Sequence, residues 1–134
     1  MTIANFADLL QAARQQPDPQ RLLFVFARAE LPEDATEDEA RRFASGLGGA
    51  LAPIMFVDKK IDEINSFADL VEESRHTGQT WDMVFVGCLG GRGGREPGDD
   101  EAQHGLETMV KSVQMGQFSH LLAYRANGEQ VAFS

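Results

Sequence analysis

Arg21-Leu22-Leu23-Phe24-Val25-Phe26-Ala27 places six apolar residues in a row after one arginine. A half-exposed strand alternates apolar and polar side chains, because successive residues point to opposite faces. This run does not alternate, and its residue types favour strand over helix. It therefore reads as a strand buried on both faces, which places it centrally and calls for a helical layer on each side.

Working outward, Phe6, Leu9, Leu10 and Ala13 recur at helical spacing behind Asn5 and Asp8, an N-cap with an acid three residues on; "QQPDP" ends that helix. Downstream, Thr36 and Glu39 form a capping box for a second helix with Ala40, Phe43, Ala44 and Leu47 inward, stopped by "GLGG". "LAPIMFV" (51–57) is the next strand. Ser66 and Asp69 cap a third helix with Phe67, Leu70 and Val71 inward, before the strand "WDMVFVGCL" (81–89). Ala102, Leu106, Met109, Val110 and Val113 stripe a long helix that begins near Asp99. "SHLLAYR" (119–125) follows as a strand, and Asn127-Gly128 predicts a hairpin returning "EQVAF" (129–133) antiparallel.

The two halves look alike. "NFADLLQAAR" aligns with "SFADLVEESR", and "LLFVFA" with "MVFVGC", at a common offset of 61 residues (Phe6 to Phe67, Phe24 to Phe85). This suggests pseudo-repeats over 5–60 and 66–126 inside one domain of 1–134, although capped amphipathic helices and buried strands draw on few residue types in any case. Strand–helix–strand units usually join parallel neighbours. The expected fold class is therefore α/β: three layers, about five mostly parallel strands, and an antiparallel C-terminal edge strand. Parallel sheets bind ligands beyond the carboxyl ends of their strands, which would put the loops 28–36 and 87–98 on one rim.

Twelve basic and twenty-one acidic residues in 134 give a formal charge of -9. That balance disfavours nucleic acid and anionic lipid surfaces as partners. No apolar run is long enough to span a bilayer, and the N-terminus lacks a basic-then-apolar leader, so a cytoplasmic location is expected. One cysteine permits no internal disulfide.

Candidate chemistry concentrates in "GCLGGRGGREPG" (87–98). Gly90, Gly91, Gly93 and Gly94 can let an anion approach the backbone, Arg92 and Arg95 can neutralise it with forked hydrogen bonds, and a helix N-terminus follows. The letters fit neither nucleotide motif. No Gly-Lys-Ser/Thr is present, and Glu96 stands where a dinucleotide fingerprint needs glycine. A solvated turn-forming loop is the competing reading.

Cys88 is a candidate nucleophile, but its spacing to Arg92 and Arg95 misses the Cys-x5-Arg of a phosphatase loop. A small apolar residue at a strand end is the simpler reading. His76, His104 and His120 show no ligand spacing, so no metal is expected, and no cofactor either. "EDATEDEA" reads as ordinary first-turn acids, and Trp81 with Asp82 as packing and turn.

"LLQAARQQPDPQRLLFVFARAELPEDAT", "GGALAPIMFVDK", "FADLVEESR" and "WDMVFVGCLGGRGG" together resemble a small group of uncharacterised proteobacterial proteins of similar length, sometimes labelled ribonucleotide reductase subunit alpha. The resemblance spans nearly the whole chain and implies no catalytic residue, since reductase large subunits need several redox cysteines and a far longer chain. The expected function is a binding or regulatory module without catalytic activity, contacting a protein through the glycine-rich rim or a strand edge near "EQVAF". The alternative is a small enzyme or sensor holding a phosphorylated or carboxylated metabolite at 87–98.

Overall fold

A computed structural model describes residues 5–31, 34–44 and 50–131. In chain order the elements are α1 (Phe6–Arg14), β1 (Gln20–Glu30), α2 (Glu37–Ala44), β2 (Ala50–Lys60), a 3-10 turn (Ile61–Glu63), α3 (Phe67–Arg75), β3 (Met83–Gly90), α4 (Asp99–Gln114), β4 (Leu122–Arg125) and β5 (Gln130–Val131). The strands form one sheet in the order β2-β1-β3-β4-β5.

β1 is central, as its composition requires. Leu22, Phe24 and Phe26 face α1 and α3, where they meet Phe6, Leu10 and Leu70. Leu23, Val25 and Ala27 face α4, against Leu106, Met109 and Val113. Helices therefore cover both faces of the sheet.

The expectation of a mostly parallel sheet is overturned: every pair of neighbouring strands is antiparallel, which makes this an α+β fold. The reason is that burial on both faces requires a helical layer on each side and does not itself fix strand direction. β2 starts beside the end of β1, with Ala50 opposite Glu30. The 16-residue α4 lies across β2, β1 and β3. Phe118, just beyond it, packs its ring against Phe85 at a tilt, and β4 enters at Leu122 opposite Val86 in mid-sheet. The connection that does cross the sheet is β2–α3–β3. Those two strands run in the same direction, with β1 inserted between them and antiparallel to both.

The two halves share the order helix, strand, helix, strand, and their caps match: Asn5 accepts from the Asp8 N–H and Ser66 from the Asp69 N–H. The offset of 61 fails in the strands. It lays Phe24, on the α1 face, over Phe85, on the α4 face. A two-fold relation between adjacent antiparallel strands preserves the face, and a slip of one residue reverses it. Equivalent strand positions are therefore an even number of residues apart.

β2 is an edge strand, which explains Pro53. It lies at a bulge where the register moves from Phe26–Met55 to Ala27–Pro53, a place where a missing N–H costs nothing in the ladder. Phe56, one residue beyond Met55, is 50% exposed, whereas Phe24 is fully buried. Replacing Phe24 by Ala should cost about 3–5 kcal/mol in urea unfolding, and Phe56→Ala less than about 1 kcal/mol. Equal losses would contradict the placement of β2 at the edge.

Candidate functional site

The antiparallel arrangement decides which loops are neighbours. Gln20 pairs with Gly90 and Ala27 with Met83, so the start of β1 and the end of β3 share one end of the sheet. The expectation that loops 28–36 and 87–98 share a rim is thereby corrected: they leave opposite ends. At the far end Arg28 donates to the Thr80 carbonyl, Asp82 accepts from the Ala29 N–H at 2.7 Å, and the Trp81 indole donates to Ser74. Trp81 and Asp82 thus pack and tie the turn.

Gly90 closes β3, and Gly91 donates its N–H to the Pro19 carbonyl at 2.8 Å. Arg92 and Arg95 then exchange backbone hydrogen bonds of 3.1 and 3.0 Å around Gly93 and Gly94. Both of these glycines have positive φ, +58° and +78°, as a type I′ hairpin turn requires. Gly91 is needed for a different reason: a Cβ there would collide with the Arg95 carbonyl oxygen. The glycine-rich segment is thus a small hairpin.

Four of its backbone donors, those of Gly91, Arg92, Gly94 and Arg95, are already used. The N–H of Gly94, which would face an anion in a phosphate cradle, binds the Asp18 carboxylate at 2.8 Å. Gly91, Arg92 and Arg95 donate to protein carbonyls. The segment therefore offers its surroundings side chains more than backbone N–H groups, and those of Arg92 and Arg95 are exposed.

The hairpin is fastened by Arg21, a residue that sequence reasoning passed over as the first letter of an apolar strand. The residue is 9% exposed. Nε donates to Asp58 at 2.6 Å, Nη2 to Asp99 at 2.8 Å and Nη1 to the carbonyl of buried Pro97 at 3.1 Å. Asp99, and then Asp58, raise its pKa despite the burial. One planar cation thereby joins β1, the end of β2, the exit of the hairpin and the first residue of α4. A lone charge opening a buried strand was the available signal, since such a charge needs partners. Beside it, Lys60 pairs with Glu96 at 3.1 Å.

Cys88 lies opposite Leu22 and reaches the surface, with its thiol donating to the Gln20 side chain at 3.0 Å. Partial burial of the sulfur pushes its pKa up, away from the thiolate that nucleophilic chemistry needs. His104 and His120 are exposed, and His76 lies 3.7 Å from Glu72. Among the described residues no group of three His, Cys, Asp or Glu side chains is placed to hold a metal ion, and no helix is long and apolar enough to cross a membrane. β5 is the outer strand at the far edge, and 132–134 of the predicted "EQVAF" strand and its flank fall outside the described residues.

No protein-family model matches the chain, and no curated protein or solved structure is significantly similar to it.

Arg21→Met keeps the stem but removes three hydrogen bonds, leaving the Pro97 carbonyl and Asp58 without their donor. It should cost about 1–3 kcal/mol in urea unfolding, with Arg21→Lys recovering only part, because the three donors of an ammonium radiate from a single nitrogen and cannot span acceptors that Arg21 reaches from three different nitrogens. Full recovery by lysine would contradict the clamp. For Cys88 the raised pKa means that the folded chain holds its thiol proton to higher pH than the unfolded chain. Alkylation by iodoacetamide between pH 7 and 9 should therefore be slower in the folded protein than in urea, and an equal or faster folded rate would contradict the assignment.

Proposed function

We propose that this chain is a binding or regulatory module without catalytic activity of its own, and that it makes its contacts through the hairpin at 91–98. The observation that supports this is the way the hairpin is held. Its turn is closed by its own backbone, its tip is tied to Asp18, its entry to Pro19 and its exit to Arg21. A loop ordered before it meets a partner loses little conformational entropy on binding, so its exposed side chains act as a preformed surface.

The alternative, a metabolite held at Gly90, Gly91, Arg92, Gly93, Gly94 and Arg95, has the two arginines in its favour. It has the occupied donors against it, since an anion there would compete with Asp18 for the Gly94 N–H.

Two measurements on the intact chain separate these readings. Gly93→Val with Gly94→Val makes the type I′ turn strongly unfavourable while leaving both arginines in place. That variant should lose at least tenfold of any partner captured by the wild type from a cell lysate. Nucleotides, sugar phosphates and small carboxylates at millimolar concentration should give no saturable amide shifts confined to 87–98. An unchanged set of captured partners would overturn the hairpin as the contact surface, and a saturable metabolite response there would favour the sensor or enzyme.

A further inference from the structure

Arg21, Arg41, Lys59, Lys60 and Arg75 each lie against a carboxylate in this acidic chain. Arg92 and Arg95 do not: like Lys111 and Arg125, their side chains make no ion pair or hydrogen bond among the described residues, but only these two stand side by side. They are cross-strand partners on the hairpin, so both side chains leave the same face, with Cα atoms about 5.5 Å apart in a hydrogen-bonded pair. Like charges placed directly opposite are unfavourable, and nothing in the turn requires arginine at either position.

The acids nearby are committed elsewhere. Asp18 holds the Gly94 N–H, Glu96 pairs with Lys60 and Asp99 with Arg21. Asp100 and Glu101 follow, exposed, in the first turn of α4. The surface is thus a compact pair of guanidiniums among carboxylates.

Resting on the hairpin as the contact surface, we infer that the partner is a protein segment presenting two adjacent carboxylates flanked by basic residues. Two guanidiniums on one face can each take one carboxylate in a forked, charge-assisted arrangement. The surrounding carboxylates repel a long anionic chain and attract lysine or arginine on either side of the pair. A nucleic-acid strand meets the opposite situation, because its phosphates continue in both directions past the arginines into negative charge. A free phosphate at the turn would have to displace the Asp18 carboxylate from the Gly94 N–H.

The test is an NMR titration of the isotope-labelled chain with five probes. These are a decapeptide with two glutamates flanked by lysines, the same peptide with glutamines for glutamates, a decapeptide of uninterrupted glutamates, inorganic phosphate, and a ten-nucleotide single strand. The first should shift the amides of 91–98 saturably, weaken as salt is raised, and bind at least tenfold more tightly than the other four. Arg92→Gln with Arg95→Gln should abolish that preference while Gly94 keeps its chemical shift. Equal binding of the glutamine peptide, tighter binding of the all-glutamate peptide, phosphate or oligonucleotide, or an unaffected double variant would overturn the inference. The two readings fail separately. Partners lost with the valine turn but retained with the glutamines leave the hairpin as the contact surface and remove the charge rule.

Discussion

The structure depends on β1 being enclosed from all four sides. Its middle residues bury side chains against α1 and α3 on one face and α4 on the other, while its backbone is paired with β2 and β3 on its two edges. A strand with no open side cannot carry an isolated charge within that stretch, so polarity is displaced to its ends. At one end stands Arg21, where the fold gathers Asp58, Pro97 and Asp99 around one guanidinium. At the other, Arg28 and the backbone of Ala29 are met by Thr80 and Asp82. Both ends of the strand are thereby tied to the segments flanking β3, and the hairpin inherits its position from the first of these ties.

This arrangement accounts for an ordered glycine-rich segment in a place where glycine alone would permit disorder. Three glycines meet two distinct steric needs. Gly91 makes room for the Arg95 carbonyl, and Gly93 and Gly94 supply the left-handed turn. Glycine-rich composition and a helix N-terminus resemble a phosphate loop, but the carboxylate of Asp18 occupies the donor that such a loop would offer. What is left over is charge carried by the exposed side chains of Arg92 and Arg95.

Much of the fold was legible because it follows from local chemistry. The Asn5 and Ser66 caps, the apolar stripes of α1, α3 and α4, and the double burial of β1 all rest on patterns a few residues long. Strand direction was not legible in the same way. Double coverage is typical of parallel sheets, but the physical requirement is only that both faces be covered, and α1 with α3 and α4 satisfy it for an antiparallel sheet. Direction follows from which ends pair, and the start of β2 pairs with the end of β1, a relation between residues 20 positions apart (Glu30 with Ala50). The placement of the candidate site failed for the same reason: with β1 reversed relative to β3, the loops 28–36 and 87–98 separate to opposite ends. Gly90, Gly91, Arg92, Gly93, Gly94 and Arg95 are neighbours in the chain and read together for that reason alone, whereas Arg21, which positions the segment, draws its partners from residues 37 and 78 positions away in the chain. No local pattern carries that information.

The central claim is that residues 91–98 form a rigid hairpin in the free protein, and backbone 15N relaxation tests it most directly. The account predicts order parameters for the Gly91, Arg92, Gly94 and Arg95 amides close to the about 0.85 of a rigid backbone, comparable with those of β3. Values below about 0.6 across the segment, with β3 rigid beside it, would contradict the account.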